Sequence, residues 1–196
     1  MSEISACPGS SVLDFAALLG TLGFTADEFV SLGYQKPGGA FRTAVLAPAD
    51  AVGAVAEAST TADMYFGVNP VAGPPRKDAG RGKESDVTRL AALWCDLDVK
   101  PGGCRDLEVA HGIVDELSSV LGTRPSAITH SGHGLHAYWP TDDGCITDVC
   151  AARALLRRWG RLVAVVAETY GARRDSVYDL PRMLRVPGTY NNKVPR

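Results

Sequence analysis

Residues 88–99, TRLAALWCDLDV, constrain the fold more than any other stretch of the chain. Leu93, Cys95, Leu97 and Val99 alternate with Trp94, Asp96 and Asp98, the two-residue period of a strand. The pleat sends both aspartates out from the same face, roughly 7 Å apart along the strand. Two carboxylates that close repel each other and resist losing their water. A divalent cation between them relieves both costs, because hard cations take oxygen ligands. Arginines at a sheet edge would be alternative partners, and the spacing alone does not choose between them.

What surrounds this strand limits the architecture. Residues 100–103 (KPGG) read as a turn, and Asp106 caps a helix whose apolar side is Leu107, Ala110, Ile113, Val114 and Leu117, closed by Gly122. Residues 126–130 (SAITH) and 135–139 (LHAYW) are strands joined by SGHG, a hairpin signal. A long amphipathic helix over 150–170 carries Trp159, Leu162, Val163, Val166 and Tyr170 on one stripe and Arg153, Arg157 and Arg161 on another. Upstream, helices are expected over 11–19, 25–34 and 48–58, the last opened by Pro48, with strands over 41–47 and 63–69. This order predicts an α+β fold with helices packed on one face of a mixed sheet. Residues 69–85, NPVAGPPRKDAGRGKES, form a long aperiodic loop, and such loops in compact domains often serve function.

Two further segments carry chemistry. In residues 129–139, THSGHGLHAYW, Gly132 and Gly134 permit close backbone approach. His136 shares a strand face with Tyr138, where it could bind phosphate or metal. In residues 175–193, Arg182, Arg185 and Lys193 supply positive charge, and Asp175 or Asp179 could complete a three-carboxylate site.

The chain of 196 residues has a formal charge of −2, unevenly spread. Residues 153–196 hold ten Lys/Arg against three acids, whereas residues 1–64 hold Lys36 and Arg42 against seven. Such asymmetry predicts a basic face suited to nucleic acid. No apolar run approaches the ~20 residues of a membrane span, and the N-terminus does not read as a signal peptide. The expectation is a protein of the (host) cytoplasm. Five cysteines without a secretory signal argue for reduced thiols over a disulfide framework, and their spacing is poor for zinc.

Taken in order, the Asp96-Leu97-Asp98 pair, Gly134-Leu135-His136 and the downstream acid with RMLRVPGTYNNK (182–193) resemble the archaeo-eukaryotic primase superfamily. The likeness is to the primase-polymerase domains of phage and plasmid replication proteins, and it covers about residues 60–193. It implies an RRM-like catalytic core with an additional N-terminal α/β lobe. Here that would be one domain over 1–196, with a mostly helical part to about residue 60 and the core beyond, cut from a longer replication protein. It also implies DNA primase and polymerase activity with two Mg²⁺ or Mn²⁺ ions held by Asp96, Asp98 and Asp175 or Asp179. His136, with Ser131, Gly134, Arg182, Arg185 and Lys193, would bind the nucleotide. Single-stranded DNA template would lie near Arg76, Lys77, Arg81 and Lys83, and a helicase is the expected fused or associated partner.

Two other readings compete. Tyr190 and Lys193 have the Tyr-x-x-Lys spacing of rolling-circle nicking enzymes, although His133 and His136 are spaced by two residues where that class has one. A non-catalytic single-stranded DNA-binding module could use Tyr138 and Trp139 as a stacking platform.

Overall fold

The computed structural model describes residues 3–4, 11–74, 76–77, 80–173, 177–189 and 191, with only the backbone of 3–4 and 11–13. Two sheets and four helices make up the described fold. The first sheet has the order β1 (Glu3–Ile4), β7 (Ala127–His130), β8 (Gly134–Pro140), β6 (Ala92–Asp98). β8 runs antiparallel to both of its neighbours, and β1 runs parallel to β7. Helices α3 (Leu107–Leu121) and α4 (Val149–Thr169) cover one face of it.

The alternation read in residues 88–99 decides which face that is. Cys95 and Leu97 of β6, with Leu135, Ala137 and Trp139 of β8, pack under Ile113, Val114, Leu117, Trp159 and Val163. Each of the largest side chains removed from water stabilises the layer by ~1.5–3 kcal/mol. The indole N–H of Trp159 donates to the Trp94 carbonyl at 2.6 Å, so a buried polar atom on α4 is satisfied by β6 itself. Asp106 caps α3 through the Val109 amide and Asp148 caps α4 through Cys150 and Ala151; Gly122 ends α3 in the left-handed conformation, φ 70°.

The second sheet has the order β5 (Arg76–Lys77), β3 (Arg42–Leu46), β2 (Val30–Gln35), β4 (Asp63–Gly67), β9 (Met183–Arg185), antiparallel throughout. Its apolar side packs with α1 (Ser11–Thr21) and α2 (Pro48–Ala58), where Phe15, Leu18, Leu32, Met64 and Phe66 are buried. Residue 60 separates α2 from β4, yet β4 lies in the same sheet as β2 and β3, and β9 returns to it from the far end of the chain.

Residues 25–34 correct the sequence reading, which expects a helix there. Val30, Leu32 and Tyr34 face the α1–α2 core while Ser31 and Gly33 face away, a strand period. Asp27 and Glu28 belong to a turn, in which the Thr25 amide donates to the Glu28 carboxylate at 3.0 Å.

Buried Asn69 joins the two sheets. Its amide donates to the Leu180 carbonyl at 2.9 Å and its oxygen accepts from the Ala91 amide at 2.8 Å. Trp94 and Tyr138, on the site-side face of the first sheet, enter the same core as Phe66 and Leu184 of the second. The sheets are therefore packed at one end and open at the other, and the acids lie at the open end.

Candidate active site

Register builds the site. β6 and β8 pair so that Trp94 faces Tyr138, Asp96 faces His136 and Asp98 faces Gly134. The row passes from buried aromatic to acid–histidine pair to half-buried acid within three steps. Gly134 earns its place through strand approach: a Cβ there would stand 2.0 Å from the Leu97 carbonyl oxygen. That explains the glycine without any contact to a ligand.

His136 is 3% exposed, with Nε2 3.4 Å from Asp96 Oδ1 and Nδ1 3.4 Å from the Tyr138 hydroxyl. Burial pushes the Tyr138 phenol well above its ordinary range, so its proton stays. His136 thus lies between the Asp96 carboxylate at Nε2 and the Tyr138 hydroxyl at Nδ1. Burial alone would raise the Asp96 carboxyl. The charge and hydrogen bond of His136, with Arg182 and Lys100 beyond, outweigh it and hold that carboxyl below its ordinary value. Asp98 is more open and pairs with Lys100 Nζ at 3.0 Å.

These groups line a cavity of about 480 Å³ with Ser131, His133, Tyr65, Arg185 and Asn191. The Ser131 hydroxyl is buried and has no hydrogen-bond partner among the described residues. Arg185 is fixed from three sides: Nη1 donates to Asp63 Oδ1 at 2.8 Å, and Nη2 to the Tyr65 hydroxyl and to Asn191 Oδ1, each at 3.1 Å. Its guanidinium lies 5.0 Å from the centre of the Tyr65 ring. Asp63, Tyr65, Lys100 and Asn191 are site residues that sequence reasoning missed. Asp63 and Tyr65 sit on a strand from the other half of the chain, and only the β4–β9 pairing of Tyr65 with Arg185 reveals them.

Other expected site residues lie elsewhere. Asp179 does not enter this cavity; it pairs with Arg81 at 3.0 Å and with Arg182. A carboxylate held by two guanidiniums already has its charge balanced. Asp175, Lys193 and Tyr190 lie outside the described residues. Arg182 is electrostatically felt at Asp96 but lines a neighbouring cavity. In the basic loop, Arg76 leans on Asp86 and the Ala72 carbonyl, Arg81 reaches Asp179, and Lys77 and Lys83 are exposed. Tyr138 and Trp139, expected as a stacking platform under the non-catalytic reading, are 0% and 4% exposed and cannot receive a base.

Among the described residues, no three His, Cys, Asp or Glu side chains converge to hold a metal unaided. Asp96 and Asp98 still fit a hard cation that completes its shell with water and phosphate oxygens, as Mg²⁺ characteristically does. Cys95 and Cys104 are buried free thiols, and Cys145 and Cys150 are exposed ones. No described helix is long and apolar enough to cross a membrane.

No family model and no curated protein matches the chain. Solved structures do. The chain is similar to the AEP domain of the cyanophage S-2L primase-polymerase, with TM-score 0.61 at 18% identity over 92% of this chain and 83% of that one. It is similar to the catalytic domain of primase RepB′ in complex with initiator DNA, TM-score 0.56 at 12% identity over 93% and 79%. A further structure of primase RepB′ gives TM-score 0.56 at 14% identity over 93% of this chain and 51% of that one. The α+β fold of this chain is the fold of those primase domains.

Proposed function

We propose that the chain is the catalytic domain of a primase-polymerase, joining nucleotides on a single-stranded DNA template. The observation that carries this is the facing of Asp96 against His136 on adjacent strands, with Asp98 two residues on, in a cavity that Lys100 and Arg185 also line. In nucleotidyl transfer a 3′-hydroxyl oxygen bonds to the α-phosphorus of a triphosphate, pyrophosphate leaves, and the hydroxyl proton passes to water. Nothing in that step calls for a protein nucleophile; it calls for positioning and for balancing of negative charge.

Asp96 and Asp98 would hold Mg²⁺ or Mn²⁺, which supplies Lewis-acid activation of the hydroxyl and charge neutralisation at the phosphates. The chain's own groups do the rest. His136 offers Nε2–H, and the unpartnered Ser131 hydroxyl offers a second donor, both toward phosphate oxygens. Arg185, immobilised by Asp63, Tyr65 and Asn191, presents a guanidinium that needs no reorganisation when the triphosphate arrives. Lys100 balances Asp98 in the resting site.

The test is incubation with an unprimed single-stranded template, labelled NTPs or dNTPs, and Mg²⁺ or Mn²⁺, beside an Asp96→Ala/Asp98→Ala variant. Incorporation that depends on metal, template and both acids is expected. Template binding without any incorporation would overturn the reading.

A further inference from the structure

A second cavity of about 660 Å³ adjoins the acid–histidine cavity and shares Tyr65 and Met183 with it as a common wall. Its floor is the open end of the five-stranded sheet. Gly33, at the centre of that floor, pairs with Thr43 on one side and Tyr65 on the other. Because Gly33 has no side chain, the Phe41 ring lies directly over the strand. A Cβ at Gly33 would stand 2.5 Å from the tip of that ring and 3.0 Å from the Met183 methyl. Phe41 is nevertheless 48% exposed, and its ring centre lies 5.8 Å from that of Tyr65. Arg42, Arg81 and Arg182 surround these rings, with Asp179 as the carboxylate held by the last two.

We infer that this second cavity is a subsite for the single-stranded template, with an unpaired base stacked on Phe41 and adjacent phosphodiesters against Arg42 and Arg81. The inference rests on the template-directed reading above. Its chemistry is that of a nucleotide inside a strand. An exposed aromatic accepts any base face, and guanidiniums around it balance the backbone. The incoming triphosphate does not account for this cavity. Its phosphates already find His136 and Arg185 next door. A polynucleotide brings a phosphate at every step. The volume is that of a pocket built for a ligand of nucleotide size.

The decisive measurement is the affinity of the full chain for a labelled single-stranded DNA of about 15 nucleotides, by fluorescence anisotropy without metal or nucleotide. Phe41→Ala is expected to weaken binding about tenfold, and Phe41→Trp to restore it. Arg42→Ala should weaken binding and lower the slope of log affinity against log salt by about one, whereas Phe41→Ala leaves that slope unchanged. Triphosphate affinity, measured separately with Mn²⁺, should not move in Phe41→Ala. Wild-type affinity for the oligonucleotide in both Phe41→Ala and Arg42→Ala would overturn the inference. So would failure of the unaltered chain to bind it, or a loss confined to the triphosphate. Phe41 is exposed enough that its replacement should leave the melting temperature unchanged, and the Trp variant controls for any that does shift. If the unaltered chain synthesises nothing but the binding pattern holds, the polymerase reading fails and the subsite stands. Normal synthesis with no change in Phe41→Ala fails the subsite alone.

Discussion

The two sheets contribute unequally to one site, and they are unequally simple. The four-stranded sheet draws three of its strands, β6, β7 and β8, from within residues 92–140, and the acids and histidine come from adjacent strands of it. The five-stranded sheet is gathered from residues 30–77 and closed by 183–185. It supplies the cations and aromatics: Arg185, Tyr65, Arg42 and Phe41. Under the proposed function, the chemistry lies on the local sheet, and the surfaces that would meet charged substrate on the non-local one. Substitutions of the acids of the first should strike the reaction with little effect on folding. Substitutions in the second should tie substrate affinity to stability, because its polar groups are held by long-range partners.

The largest expected effect tests the first half of that contrast. Asp96→Asn should cut nucleotide incorporation by at least about a thousandfold, the scale of losing an electrostatic centre in a water-poor site. Its melting temperature should fall only slightly, because a carboxylate held below its ordinary value by His136 gives up some stability when neutralised while Asn keeps its shape. A fall in melting temperature that tracks the loss of synthesis would erase the distinction between the sheets.

Asp63→Ala tests the other half. Asp63 and Arg185 are both nearly inaccessible and joined at 2.8 Å, so the substitution strands a guanidinium. Breaking such a pair costs about 3–5 kcal/mol. Chemical denaturation should show that loss, and triphosphate affinity should fall with it. If neither stability nor affinity falls, Arg185 is held in place without Asp63.

Two glycines separate the sheets more finely. Gly134→Ala drives a Cβ against the backbone of β6, at Leu97 O and Asp98 Cα, where nothing yields cheaply. A loss of about 1–3 kcal/mol is expected, the scale of an overpacked core. Gly33→Ala meets only the end of the Phe41 ring and the Met183 methyl, both able to swing aside. Its cost should be under about 1 kcal/mol, as for tolerated volume changes. Equal costs in the two variants would show that the open end of the five-stranded sheet is packed as tightly as the acid-bearing pair.

How much of this was legible follows the same division. The alternation in residues 92–98 and the hairpin at 127–140 specify their own faces, because a strand's period is local and a short turn fixes register. The faces on which Asp96 and His136 lie therefore emerge from sequence, whereas their facing rests on the β6–β8 register, which no short turn sets. Residues 30–35 did not announce a strand, since Asp27 and Glu28 before them imitate a helix start and Gly33 interrupts the apolar pattern. Nor could Asp63 and Tyr65 be paired with Arg185, which follows them by 122 and 120 positions. The arginines that claim Asp179 sit on either side of it, one in the aperiodic loop and one after a turn, where no periodicity reports direction.

The smallest expected effect concerns the hinge between the sheets rather than either site. Glu28 leads into β2 and Arg89 into β6, and they are joined by two hydrogen bonds of 2.9 and 3.0 Å. Arg89 also donates to the Leu22 and Gly23 carbonyls just past α1. Burial acts to raise the Glu28 carboxyl, but the hydrogen bond from Arg89, the Thr25 amide and the Arg89 charge together hold it below its ordinary value. A carboxyl depressed in the folded state favours folding in full above its ordinary value, near pH 4.3, and stops doing so as pH falls through the depressed one. Glu28→Gln should therefore lose about 1 kcal/mol at pH 7, a drop in melting temperature of about 2–4 °C. The deficit should close as the solution is acidified below about pH 4, because the parent then also carries a neutral side chain there. A deficit that persists unchanged at acid pH would mean that shape and the retained amide hydrogen bonds, not the charge of Glu28, hold the leading ends of the two sheets together.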